Sequence, residues 1–225
     1  MARNTLDPDS PIYRLRHSLA HVLAQAVLEI RPNAKLGFGP PIEHGFYYDF
    51  DLDEPLTPED LPDLEKRMRR IINSGQTFEC EELSAKEMTD RLEESGQSYK
   101  VEQVQDLAVQ GKTLTLYRNG KFWDLCEGPH VSNTKEIPGN CFALDTLAGA
   151  YWKGSEQNAM LQRVYGLAFE SKTELRDFQE KQRLAMERYH RKVNTQQHYF
   201  VIEEEVGKGL PLWMPNGTVI RDELE

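Results

Sequence analysis

The sequence is poor in cysteine, and it has neither a long apolar run nor a secretory leader. Its three cysteines, Cys80, Cys126 and Cys141, are too few and too odd in number for a disulfide framework. They favour a reducing compartment, and we expect the protein in the cytoplasm. No apolar run approaches the roughly 20 residues that span a bilayer. The N-terminus lacks the basic-then-apolar order of a signal peptide, so we expect no membrane contact.

Positive charge is also scarce, because the formal net charge is -10 at pH 7. This balance argues against a domain that grips nucleic acid by bulk electrostatics, but it allows local contact with one RNA end. Basic residues cluster at 66–70 and 188–192, a pattern that is typical of solvated helix faces. The length of 225 residues predicts one full domain and an appendage.

The first helix is clearly signalled. Ser10 suits the N-cap, Pro11 suits the first helical position, and an apolar stripe then continues to residue 30. His17 and His21 lie four residues apart and therefore share a face, nearly opposite that stripe. Their face carries no charge. We expect one side of this helix to pack on a core and the other to line a cleft.

The remaining elements follow from turn and capping signals. The pair Asn119-Gly120 predicts a hairpin, and it places Phe122, Asp124 and Cys126 on one strand face. The other predicted elements are a strand at 46–50, helices at 57–74, 84–95 and 171–192, and short strands and turns over 139–169.

Two ligand-spaced pairs carry the chemistry. His17 and His21 share a helix face, whereas Cys126 and His130 flank a tight turn. Together they suit tetrahedral zinc, or a catalytic site with one open position, although each pair alone is a weak signal. Asp124 shares a strand face with Cys126 and could orient a histidine. The alternative for Asp124 is an ordinary surface aspartate.

Other candidate residues depend less on spacing. Lys100 could place a cation beside a developing oxyanion, and its alternative is a solvated lysine. Cys80 and Cys141 have no histidine nearby, and we expect both in the core.

Five segments resemble, in the same order, the editing region of bacterial threonyl-tRNA synthetases, which is shared with alanyl-tRNA synthetases. They are RHSLAHVLAQAV, GPPIEHGFYYDF, GQSYKV, FWDLCEGPHV and LAGAYWKGSEQNAMLQRVYG. The resemblance covers roughly residues 10–225. It implies an α+β fold: a two-layer editing domain with a long cleft-lining helix and an antiparallel sheet, followed by a linker helix.

The resemblance also implies a domain order. A tail at 1–9 precedes an editing domain at 10–170, in which the second additional domain of the family occupies about 120–170. A linker helix at 171–195 follows, and 196–225 is the start of a class II catalytic domain. The ATP-binding motifs and the zinc-binding residues of that catalytic domain would lie beyond residue 225. We therefore expect no amino-acid activation from this piece.

The implied activity is the hydrolysis of Ser-tRNA(Thr). Serine lacks one methyl group of threonine, and a synthetic pocket rejects a substrate that is smaller by one such group by only ~1–3 kcal/mol. A second site must therefore remove serine. The resemblance assigns the core of that site to His17, His21, Cys126 and His130, water activation to Lys100 and Asp124, the pocket wall near the tRNA 3′ end to Tyr48, and the neighbourhood of that end to Lys153, Gln162 and Arg163.

Three mechanisms and two other functions remain open. The four core residues hold zinc in the alanine-type relatives, whereas the threonine-type branch is able to work without metal; a Cys126 nucleophile is the third mechanism. We expect direct attack of water, with His17 and Lys100 doing most of the work. The alternative functions are a tRNA acceptor-end binding module with structural zinc, and a metal-dependent hydrolase of free aminoacyl compounds. The expected partner is the acceptor end of tRNA(Thr); the full enzyme would be a homodimer and this piece a monomer.

Overall fold

The computed structural model describes residues 6–203 and 205–224, in two compact units that divide after Leu175. The helices are α1 Pro11–Ile30, α2 Leu61–Ser74, α3 Ala85–Glu94, α4 Ser98–Val109, α5 Lys172–Glu187, α6 His190–Gln197 and α7 Pro215–Leu224. The strands are β1 Lys35–Leu36, β2 Pro41–Ile42, β3 Gly45–Asp51, β4 Phe78–Leu83, β5 Leu114–Asn119, β6 Phe122–Leu125, β7 Phe142–Tyr151, β8 Met160–Ala168, β9 Phe200–Ile202 and β10 Pro211–Trp213. None of the described helices is long and apolar enough to cross a membrane.

The main core of the first unit lies between α1, α2 and an antiparallel sheet of order β1-β3-β8-β7, with β2 added on β3. Side chains alternate along a strand, so Phe46, Tyr48 and Phe50 of β3 all face this core. The middle of α1 is buried on every side, from Leu15 to Ala24. The face that carries His17 and His21 is therefore covered as well as the apolar face. That this face lines a cleft stays a prediction.

A second core lies beside a smaller antiparallel sheet of order β4-β5-β6. Met88 of α3 and Val104 of α4 pack there against Leu114 and Leu116 of β5. Helices that cover antiparallel sheets make an α+β fold, and the predicted fold class is confirmed.

The predicted hairpin is present, but its turn is shifted by one residue. Asn119 still pairs with Phe122, so Gly120 and Lys121 form the two-residue loop, and Gly120 supplies the positive φ of 60°. The side chain of Asn119 is fully buried instead of shaping the turn. Its amide donates to Gln25 and Gln76, at 2.9 Å in each case.

Three sequence expectations differ from the structure. The short strands expected over 139–169 are two long paired strands, β7 and β8. Helix α4 was not expected. The helix expected from 171 to about 192 ends at Glu187, and α6 begins at His190. The second unit also contains the β9–β10 pair and α7.

Candidate active site

Helix α1 is fixed in place by the residue that precedes His17. The guanidinium of Arg16 is buried and donates to the carbonyl oxygens of Ala168, Ile42 and Glu43, at 2.9, 3.2 and 2.7 Å. These carbonyls lie at the ends of β8 and β2. The N-terminus of α1 is capped by Ser10, whose hydroxyl accepts the N–H of Tyr13. The helix therefore presents its histidines at a defined rotation.

The two predicted pairs converge on one cluster. Cys126, directly after β6, lies with Sγ 3.2 Å from Nε2 of His17 and 3.3 Å from Nε2 of His130. The rings of His21 and His130 have centroids 4.2 Å apart. One ligand atom from each of the four residues lies within 4.8 Å of the others. The bend that brings His130 back contains a cis peptide bond between Gly128 and Pro129.

Burial keeps this cluster electrically neutral. It lowers the pKa of His17 to about 4 and the pKa values of His21 and His130 well below the usual range. Burial also raises the pKa of the Cys126 thiol to about 12. At neutral pH and without metal, the cluster holds three uncharged imidazoles and a protonated thiol.

The four residues fit a zinc ion by donor type and spacing. His17 also has the outer partner that metal-bound histidines usually have, because its Nδ1 lies 3.2 Å from the carbonyl oxygen of Pro129. A bound zinc ion would supply a Lewis acid and would favour the thiolate form of Cys126.

A buried ion pair adjoins the cluster. Lys100 Nζ lies 2.9 Å from Asp124 Oδ2, and the hydroxyl of Tyr48 donates to the same oxygen at 2.5 Å. Only 3% of the Lys100 side chain and 4% of the Asp124 side chain are exposed, which excludes a surface role for either residue. Burial and the neighbouring carboxylate hold the pKa of Tyr48 well above its usual value, so this hydroxyl remains a donor. The charge of Lys100 in turn lowers the pKa of His17.

The three residues assigned to the tRNA end make protein contacts elsewhere. Lys153 is exposed and pairs with Glu102 and Asp106. The side chain of Gln162 binds the backbone N–H and carbonyl of residue 56, at 2.7 and 2.8 Å. Arg163 donates two hydrogen bonds to Asp49, at 2.6 and 2.8 Å. A role for these three residues near tRNA stays a prediction.

Two further residues that contact the cluster were not predicted from the sequence. Ser18 contacts His130, and Pro129 contacts His17. The only sequence signal was adjacency, since each lies next to a cluster histidine. Of the two cysteines expected in the core, Cys141 is buried, but Cys80 is exposed on β4, whose middle residues face solvent. The expectation for Cys80 was wrong.

Comparison with known proteins shows that the chain belongs to the threonine--tRNA ligase family. Residues 114–165 match the family described as "Threonyl and Alanyl tRNA synthetase second additional domain". The chain is 46% identical over 219 residues to a threonine--tRNA ligase of Gloeobacter violaceus, covering 97% of this chain and 35% of the relative. The resemblance to threonyl-tRNA synthetases is confirmed.

Other threonine--tRNA ligases match as well. That of Dehalococcoides mccartyi strain BAV1 is 44% identical over 225 residues, covering 99% of this chain and 38% of the relative. Threonine--tRNA ligase 1 of Bacillus subtilis is 46% identical over 211 residues, covering 94% and 32%. The predicted relation to an aminoacyl-tRNA ligase family that carries an editing domain is thus confirmed. The chain spans about a third of the length of these relatives.

Proposed function

We propose that this chain carries a hydrolytic editing site that removes serine from Ser-tRNA(Thr). The observation that carries the proposal is the meeting of the His/Cys cluster with the buried Lys100–Asp124 pair, in a chain that is 46% identical to a threonine--tRNA ligase over 97% of its length. Ester hydrolysis needs a neutral base that accepts the proton of water and a fixed cation that stabilises the oxyanion.

The proposed reaction is a direct attack of water on the ester carbonyl. The ester C–O bond breaks, and serine and the free tRNA 3′ end are released. Nε2 of His17 takes the proton of the water as the water oxygen bonds to the carbonyl carbon, and this proton then passes to the ribose oxygen that leaves. The arriving water displaces the thiol of Cys126, which is a weak hydrogen-bond donor. Lys100, held by Asp124, stabilises the negative charge on the carbonyl oxygen. Cys126 is a poor nucleophile because its raised pKa keeps the thiol protonated.

The proposed partner is the acceptor end of tRNA(Thr), and the proposed location is the cytoplasm. Tyr48 would line the pocket, with Lys153, Gln162 and Arg163 nearer the tRNA end. The domain order of tail, editing domain at 10–170, linker helix at 171–195 and first part of a catalytic domain is part of this proposal. So are the ligation of threonine with ATP by the full enzyme and its homodimeric state. Editing needs no cofactor in this scheme.

Deacylation of Ser-tRNA(Thr), with Thr-tRNA(Thr) as the matched substrate, tests the proposal. We expect hydrolysis of the seryl ester only. His17→Ala and Lys100→Ala should each lower kcat by about 100-fold or more, the usual contribution of a general base or an oxyanion donor. The control variants His44→Ala and Lys86→Ala change exposed residues outside the cluster and should retain the wild-type rate. Unchanged hydrolysis in the His17 or Lys100 variant would refute the assignment.

A tRNA-binding module with structural zinc is a second candidate, because four ligand atoms lie within 4.8 Å. The same assay with and without a chelator separates the two. Metal-free hydrolysis supports the editing scheme. Stoichiometric zinc that is required for folding, together with tRNA binding and no hydrolysis, would favour the second candidate.

A further inference from the structure

Five polar contacts of the cluster form a continuous chain of hydrogen bonds that begins and ends on the backbone. The N–H of Gly128 joins it from the side and donates to Sγ of Cys126 at 3.2 Å. The N–H of Val131 donates to Oγ of Ser18 at 3.0 Å, and that Oγ lies 3.1 Å from Nδ1 of His130. Nε2 of His130 contacts Sγ of Cys126, and Sγ contacts Nε2 of His17. Nδ1 of His17 then contacts the carbonyl oxygen of Pro129.

Both ends of this chain have fixed polarity. An N–H can only donate, and a carbonyl oxygen can only accept. The carbonyl of Pro129 therefore places the proton of His17 on Nδ1 and leaves Nε2 of His17 as an acceptor. Only the thiol proton of Cys126 can fill that contact.

The hydroxyl of Ser18 fixes the proton positions at the other end. Ser18 already accepts the N–H of Val131, and within the described residues its hydroxyl has one other partner, Nδ1 of His130. Its single proton therefore goes to Nδ1, which leaves the ring proton of His130 on Nε2. That Nε2–H donates to Sγ of Cys126, which has given its own proton to His17. Every contact then has one donor and one acceptor.

We propose that Ser18 is a positioning residue that holds the proton of His130 on Nε2. The hydrogen bonds through the cluster then all donate in one direction, from Ser18 toward Pro129. The thiol proton of Cys126 then points at Nε2 of His17. This is the nitrogen that water must reach in the proposed hydrolysis. The number of protons in the cluster is unchanged; only their positions are set. The kinetic part of this inference rests on the proposed editing function.

Ser18 differs from Pro129 because a hydroxyl can either donate or accept a hydrogen bond. A zinc ion on the cluster needs a bare Nε2 on His130, so the ring proton would move to Nδ1 and Ser18 would accept it. The anchor of His17, in contrast, is the same in both states, because the carbonyl of Pro129 always accepts. Without metal, the direction of the hydrogen bonds through the cluster therefore depends on the hydroxyl of Ser18.

Long-range ¹H–¹⁵N NMR spectra of the imidazoles, recorded on the full chain after chelation, test the inference. We expect wild-type His130 in the Nε2–H form and a loss of that single form in Ser18→Ala, with rescue by Ser18→Thr. Thr134→Val is the matched control: it removes another fully buried hydroxyl, which accepts the N–H of Gln76 and donates to the carbonyl of Ile72. This variant should keep the wild-type form of His130.

The kinetic test uses Ser-tRNA(Thr). In Ser18→Ala the ring of His130 loses the contact that holds it beside Cys126. The variant should therefore lower kcat by about tenfold or more with little change in KM, whereas Thr134→Val should keep the wild-type kcat. An Nδ1–H form in wild-type His130, or the same form in wild type and Ser18→Ala, would overturn the inference. If the wild-type chain does not hydrolyse Ser-tRNA(Thr), the proposed function fails while the NMR result still decides the role of Ser18.

Discussion

Replacement of Asp124 by asparagine should be one of the most destabilising polar changes in the first unit. Asp124 is the only carboxylate within ion-pair distance of Lys100 among the described residues, and both side chains are almost completely buried. The Asp124→Asn variant would leave a buried ammonium without a counter-charge, which costs about 3–5 kcal/mol. With a urea m-value of about 2 kcal/mol per molar, the unfolding midpoint should fall by about 2 M.

A double-mutant cycle separates the ion pair from simple packing. Lys100→Met combined with Asp124→Asn removes both charges, and this double variant should be more stable than Asp124→Asn alone. The exposed pair of Lys153 and Asp106 supplies the control, since Asp106→Asn should cost less than about 1 kcal/mol. A loss below about 1 kcal/mol in Asp124→Asn, or fully additive effects in the cycle, would refute the reasoning.

Two further changes test the packing around the site. In Gly39→Ala the new Cβ would overlap the ring of Tyr48, which is fully buried and cannot move away. We therefore expect thermal unfolding to show a loss of about 1–3 kcal/mol in the free energy of unfolding, together with slower editing. An unchanged free energy of unfolding would show that the loop at residue 39 moves easily. Arg163→Lys should lower the free energy of unfolding by about 1–3 kcal/mol in the same measurement. Lysine can neither donate the paired hydrogen bonds to Asp49 nor stack on Tyr47, whose ring centroid lies 3.7 Å from Cζ of Arg163. An unchanged melting temperature would contradict this expectation.

Elements with local signals were predictable from the sequence. Helix α1 has an N-cap, a proline at the first position and an apolar stripe, and all three signals act within one segment. The hairpin was predicted from Asn119-Gly120, but its turn is shifted because Asn119 is buried beside Gln25 and Gln76, residues distant in sequence. A turn rule cannot include such distant partners.

Elements that depend on tertiary partners were missed. Helix α4 buries only Lys100 and Val104, so its sequence shows little apolar periodicity. Strands β7 and β8 are stabilised by pairing with each other, and the half of β7 that includes Ala148 and Gly149 lacks a clear alternation of apolar residues. Such elements are specified by the surface on which they pack.

The candidate site divides in the same way. Spacing alone identified the two pairs His17/His21 and Cys126/His130, because each pair lies within five consecutive residues. That the two pairs meet was supported by the family resemblance, and the structure places them together. The hydrogen bond from Tyr48 to Asp124 joins two strands of different sheets, and no local pattern could reveal it.

Arg16, His17 and Ser18 are consecutive, yet their side chains contact different groups of the first unit. Arg16 binds carbonyls at the strand ends, His17 reaches the thiol, and Ser18 reaches the loop after the cis-proline. Successive helical positions diverge by about 100°, so all three contacts depend on one rotational phase of α1. A single residue inserted between Arg16 and His21 would put the helix out of phase at one end or the other. Along this stretch, the number of residues is as strict a constraint as their identity.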